Sequence, residues 1–174
     1  MRGLVVIEYV SLDGVIQAPG HANEDREGGF AQGGWTRALM VDHQRYNDDS
    51  FQTAGAFLLG RKTYEIWAGY WPTVTDERNE IATALNTRPK YVASTTMSKA
   101  DWAGTTVIRD VRHDVAALKQ QHDLVDEYQL WLHPVILGGG KRLFRDGGVK
   151  TDLRLIDSRT SGNGLVILTY QPRT

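Results

Sequence analysis

The run AFLLG, residues 56–60, stops at a glycine, and Arg61, Lys62 and Thr63 open the helical pattern that follows. A strand ending this way presents a helix N-terminus, whose free N–H groups and positive dipole end attract an anion. Thr63 adds a hydroxyl donor, and Arg61 and Lys62 add charge. A phosphate-holding junction and a solvated basic pair beside a helix cap both satisfy this spacing. GGGK at 138–141 invites a phosphate-loop reading, but a P-loop needs a longer glycine frame and a Ser or Thr after the lysine. Arg142 stands there, so the segment reads as a tight turn after a strand. No GxGxxG follows the first apolar run, and the standard dinucleotide fingerprint is absent. Ser11, Asp13 and a distant histidine have the residue types of a triad, but nothing supplies a nucleophile elbow. The five histidines have neither HExxH nor another ligand spacing, so no metal site is expected. His43 falls in the apolar stripe of its helix and reads as a core histidine.

These residues sit in a chain of 174 amino acids with a formal charge of −1 and no cysteine. That length corresponds to one domain, residues 1–174, able to bury a proper core. The near-zero charge argues against a nucleic-acid binder, whose footprint is strongly basic. Without cysteine there is no disulfide, thiolate zinc site or cysteine nucleophile. No apolar run reaches the roughly 18 residues needed to span a membrane. MRGLVVIEYV continues into SLDG without a small-residue cleavage site and reads as a first strand, so a cytoplasmic location is expected.

The hydrophobic period switches repeatedly along the chain. LVVIEYV (4–10) is a continuous, β-branched run, as in a strand covered on both faces. Residues 11–32 read as a long loop, and loops of that length in compact domains are usually functional or disordered. From Trp35, the residues Leu39, Met40, His43, Asn47, Phe51 and Ala54 recur at helical spacing. AFLLG is a second strand, followed by a helical turn through Trp67. TDERNEIATALN (75–86) opens with a threonine cap and an acidic first turn. KYVAST (90–95) and TTVIR (105–109) are strands, and VRHDVAALKQQ (111–121) is helical. EYQLWLHPVIL (127–137) is a long strand in which Pro134 marks a bulge or a sheet edge. The tail, with Ser161, Gly162, Asn163 and Gly164 between two strands, is a hairpin. Strands alternating with helices and closed by a hairpin give an α/β fold with a mixed sheet.

LLGRKTYE resembles the GR(K/R)T segment of the dihydrofolate-reductase-like fold. SLDGVI (11–16), YWP (70–72), DWAGTTVI (101–108) and LVDEYQLWLHPVILGGGKRLF (124–144) resemble the RibD C-terminal family, the riboflavin-biosynthesis reductase branch of that fold. The resemblance runs over almost the whole chain. It implies a mostly parallel twisted sheet flanked by helices, NADPH as cofactor, and a pterin- or pyrimidine-type heterocycle as substrate. Gly60, Arg61, Lys62 and Thr63 would meet the cofactor's phosphates, and Ser94, Thr95 and Thr96 the adenosine ribose and its phosphate. Asp13 and Gly14 would lie at the nicotinamide and substrate end, where the Asp13 carboxylate orients a heterocycle N–H or assists proton delivery. Asp13 is equally a turn residue before Gly14. Tyr64 and Trp67, one helical turn apart, would wall an aromatic pocket or pack in the core. A homodimer is expected as well, formed around the long strand at 127–137, Trp131 and the 137–144 segment.

The sequence departs from the family pattern at one place. Between the helix at 111–121 and LVDEY, members carry a further strand ending in a glycine pair or Gly-Ser, then another helix, about 20 residues in all. That strand would be central to the sheet, and its glycine turn would be a second contact with the cofactor pyrophosphate. Its absence leaves a slot of roughly 9–10 Å between strands meant to be bridged. Two outcomes follow from this: a break between Gln121 and His122, which is the expectation, or a closed gap with part of the cofactor site lost. In the second case the domain would be a non-catalytic nucleotide- or pterin-binding remnant.

Overall fold

The computed structural model describes residues 3–39, 50–119, 125–144 and 146–173. The Gln121–His122 junction, His43 and most of the helix expected from Trp35 lie outside the described residues. The chain forms two compact units, Met1–Asp42 with Gln121–Thr174, and His43–Gln120.

In the first unit the apolar run at the N-terminus forms β1 (Val5–Ser11), parallel to β5 (Glu127–His133) from Val5↔Glu127 to Ser11↔His133. The hairpin read from the tail is present as β6 (Leu153–Thr160) and β7 (Val166–Pro172). Ser161 closes its turn, accepting from the Asn163 and Leu165 amides. β7 also pairs antiparallel with β5, giving the order β1-β5-β7-β6. β5 is thus an interior strand. Its last residue is His133, because Pro134 has no N–H to extend a ladder and the chain turns away there. Trp131 on β5 is fully buried, with the Tyr9 and His133 rings edge-on to one another beside it. A smaller cluster of Val15, Ala18, Phe30 and Leu137 packs beneath the long loop.

The second unit is a βαβ arrangement with a parallel sheet, order β2-β3-β4. β2 (Phe57–Gly60) leads directly into helix α1 (Arg61–Ala68), and helix α2 (Glu80–Thr87) leads into β3 (Lys90–Ala93). β4 (Thr105–Ile108) precedes helix α3 (Val111–Lys119). The core is Leu59, Tyr64, Leu85, Val92, Met97 and Trp102. Lys90 is fully buried in it, its ammonium donating to the Leu85 and Arg88 carbonyls and lying 4.7 Å from the Trp102 ring centre.

Two elements differ from the sequence reading. α2 starts at Glu80, four residues later than a Thr75 cap implies, because Asp76 is engaged in a turn with Arg78 and Asn79 is the cap, accepting from the Ala82 amide. Of the helix expected from Trp35, Trp35 itself belongs to a turn, Arg37–Leu39 is a short 3-10 segment, and residues 50–53 are helical. The described strands form two sheets, the first unit's mixed and the second unit's parallel. β1 ends one and β2 ends the other, with no described residue paired on the outer edge of either.

Candidate functional site

The Gly60 junction follows from local burial. Leu59 is in the core, Gly60 is exposed in extended conformation (φ −68°, ψ 156°), and the helix begins at Arg61. Gly60 has no side chain, so no side-chain cap closes the first turn. A Cβ built on Gly60 would meet nothing within 4 Å, so packing gives no reason for glycine and the space above the junction is open. The other two helices of the unit contrast with this. α2 is capped by Asn79, and the start of α3 is closed by Asp110 and Asp114, which accept the His113, Arg109 and Asp110 amides. Of the three, α1 has the basic first turn without a side-chain cap.

The structure brings two of the sequence-predicted segments together. Arg61 donates from Nη1 to Thr96 Oγ1 at 2.6 Å and from Nε to Glu65 at 2.7 Å. Ser94 folds its own turn, its Oγ accepting from the Met97 amide at 3.0 Å. Arg109, which sequence reasoning missed, clamps that turn from the end of β4. It donates to the carbonyls of Thr95 (2.7 Å), Met97 (2.7 Å) and Ser94 (3.3 Å). A lone cation at a strand end gave no spacing signal. Arg61, Lys62, Thr63, Thr95 and Thr96 are all exposed.

Tyr64 and Trp67 face the core of the second unit. Tyr64 is buried, its hydroxyl accepting from the Trp102 amide, and Trp67 packs against Phe51 and Trp71. One edge of Tyr64 lines an open cleft of about 610 Å³ with Pro72, Asn86 and Trp102, a cleft that Trp67 does not line.

Asp13 in the first unit acts as a staple. Its Oδ1 accepts from Ser11 Oγ (2.7 Å) and the Leu137 amide (3.1 Å), and its Oδ2 accepts from the Gly138 amide (2.8 Å). These donors, the Ser11 hydroxyl foremost, hold its pKa down to about 2. The expected proton-delivery role does not fit, because a carboxyl ionised at every physiological pH accepts hydrogen bonds and has no proton to give. Both lone-pair sites of Oδ1 are taken by these donors, and Oδ2 keeps one that could accept a further hydrogen bond. Gly14 takes φ +83°, a conformation that glycine adopts without strain, and this makes the turn possible.

The GGGK segment is the tight turn expected, and it carries a second staple. The Lys141 ammonium reaches Asp25 and Glu27 at 2.7 Å each, while its amide donates to the buried Gln17 side chain. Gln17 in turn donates to the Asp25 and Glu27 carbonyls. An open cleft of about 490 Å³ lies there, lined by Gln17, Phe30, Gly140 and Lys141 among others. Among the described residues no three His, Cys, Asp or Glu side chains are grouped to hold a metal.

Comparison with known proteins adds the following. Residues 114–167 match the RibD C-terminal domain. The uncharacterised protein YyaP of Bacillus subtilis is 26% identical, over 97% of this chain and 94% of that protein. That alignment runs over 190 positions, longer than this chain of 174 residues, so YyaP has residues within the aligned span that this chain lacks. A protein assigned to riboflavin biosynthesis in Shewanella sp. PV-4 superposes with a TM-score of 0.63, at 16% identity over 99% of this chain and 100% of the other. Dihydrofolate reductase from Enterococcus faecalis, complexed with NADP(H), gives 0.56 at 12% identity, over 99% and 97%. A pyrimidine reductase-like protein from Corynebacterium diphtheriae gives 0.55 at 14%, over 99% and 92%. The chain therefore has the dihydrofolate-reductase-like fold that its motifs imply, and its C-terminal part carries the match to the RibD C-terminal domain.

Proposed function

We propose that the protein is an NADPH-dependent reductase of a small planar heterocycle of the pterin, dihydrofolate or pyrimidine-type riboflavin-precursor class. One observation carries this reading: an open, basic helix start with no side-chain cap, joined through Arg61 to the turn that Arg109 clamps. The residues fit a dinucleotide phosphate, which the first-turn amides, Lys62 and the Thr63 hydroxyl would hold. Ser94, Thr95 and Thr96 would serve the adenosine ribose and its phosphate. The cofactor, when bound, supplies a hydride. Asp13 and Gly14 form the substrate end, with the ionised Asp13 carboxylate accepting a heterocycle N–H. The relatives' names and the NADP(H) complex of the Enterococcus enzyme support the same class. The near-neutral charge suits a cytoplasmic protein acting on a small molecule, with neither nucleic acid nor membrane as partner.

A second reading, a nucleotide- or pterin-binding domain without turnover, is favoured by the residues lacking relative to YyaP and by the division of the strands into two sheets. NADPH titration followed by a turnover assay separates the two. Thr63→Ala removes a donor to a charged oxygen and weakens NADPH about ten- to a hundred-fold, roughly 1.5–3 kcal/mol. Asp13→Asn keeps cofactor binding and loses turnover. No NADPH binding by the wild type refutes both the cofactor and the class. Binding untouched by Thr63→Ala makes the junction a plain helix cap, and binding without turnover on any pterin or pyrimidine selects the second reading.

A further inference from the structure

β6 is the terminal strand of its sheet, and every residue from Arg154 to Thr160 is exposed, including Leu155 at 50% and Ile156 at 45%. An open edge with apolar side chains is a template for another strand. The order of charges along this edge is self-complementary. About a centre between Leu155 and Ile156, an antiparallel second copy places Arg154 opposite Asp157, and Asp152 opposite Arg159. A two-fold axis makes each of these contacts twice.

The bulge at Ile156 makes this geometry possible. Residues directly opposite in an antiparallel ladder share a face, and successive residues alternate between faces. Arg154 lies opposite Gln171, Asp157 opposite Thr169 and Arg159 opposite Ile167, all odd-numbered positions of β7. These charges therefore share one face, and the Arg159–Asp157 ion pair of 2.9 Å agrees. Leu155, opposite Tyr170, lies on the other face. Without the extra residue, Arg154 and Asp157 would fall on opposite faces, and a two-fold ladder could not bring them together. With it, each charge meets its complement, Leu155 meets Ile156 of the second copy, and Leu153 meets Ser158. The other terminal strands lack such a code: β1 holds a single charge, Glu8, and β2 and β4 hold none.

We propose that β6 is the interface of a two-fold homodimer, paired antiparallel with the β6 of a second copy in the register that sets Arg154 against Asp157. This moves the dimer surface away from the 127–137 strand expected from sequence, since β5 is interior. Sedimentation velocity at micromolar concentration gives twice the chain mass for the wild type. Arg154→Asp sets like charges together twice and weakens the dimer about tenfold or more. The fourfold swap Asp152→Arg, Arg154→Asp, Asp157→Arg, Arg159→Asp restores a self-complementary edge. It dimerises with itself and does not exchange subunits with the wild type. A monomeric wild type, a dimer indifferent to Arg154→Asp, or free exchange between swap and wild type each overturns the proposal. Should Arg154→Asp fail to fold, the mixing experiment alone decides.

Discussion

Glu8 lies on β1 opposite Leu130, between Val6 and Val10 on the same face. Burial raises its carboxyl from the ordinary 4.5 to about 7, with repulsion from Glu24 adding to it and a backbone hydrogen bond at Tyr9 opposing. A folded carboxyl that holds its proton more tightly than the unfolded one stabilises the fold below pH 4.5. That stability is lost as pH rises through about 7, and above pH 7 the deficit is constant. At 1.36 kcal/mol per tenfold the full deficit is about 3 kcal/mol. Glu8 is half-buried rather than sealed, and solvent screening reduces the figure to about 1–3 kcal/mol. Glu8→Gln removes the charge and keeps the shape. The variant is then more stable than the wild type by about 1–3 kcal/mol at pH 8, a rise of about 2–12 °C in Tm for a chain of this size. At pH 4.5 the two differ little. Thermal melts of both proteins at the two pH values test this, and the difference between them cancels every other titrating group. An equal difference at both pH values, or a variant weaker at pH 8, refutes the reasoning.

Two further substitutions test the staples around the candidate sites. Gly140 has φ +124°, and a Cβ there would sit 2.8 Å from Val15 Cγ1 and 2.9 Å from the Phe30 ring, so Gly140→Ala destabilises by about 2–5 kcal/mol in chemical denaturation. Gly139→Ala, whose Cβ meets nothing within 4 Å, is the control and changes little. Arg109→Ala frees the 94–97 turn and weakens NADPH about tenfold in titration while moving Tm little, because the guanidinium is largely exposed and orders a binding segment. An unchanged NADPH affinity would make the clamp irrelevant to the cofactor.

Much of the fold was legible because short apolar runs bounded by glycine and polar residues have few alternatives. AFLLG, KYVA, TTVI and the tail hairpin are strands where their β-branched and aromatic residues put them. The start of α2 was misread because Thr75 and Asn79 are both good caps, and the choice depends on Asp76 being drawn into the Arg78 turn, a contact no periodicity reveals. Pro134 reads as a bulge or a sheet edge within one long strand because the apolar pattern runs past it to Leu137, although Leu137 in fact belongs to the cluster under the loop. At the candidate site the strand-to-helix junction was visible locally. Arg109, Lys141 with Asp25 and Glu27, and the Leu137 and Gly138 amides that fix Asp13 were not, since they join residues 12 to 125 positions apart.

The order of the two units along the chain has a consequence for synthesis. The second unit is one continuous stretch, while the first is built from pieces on either side of it. β1 leaves the ribosome early but finds its pairing partner only at Glu127, 122 residues after Val5. At 5–20 residues per second that is a wait of about 6–24 s, during which an apolar strand stays unpaired while the second unit can already fold. The same interval makes permuted chains that begin at the second unit a route to higher soluble yield.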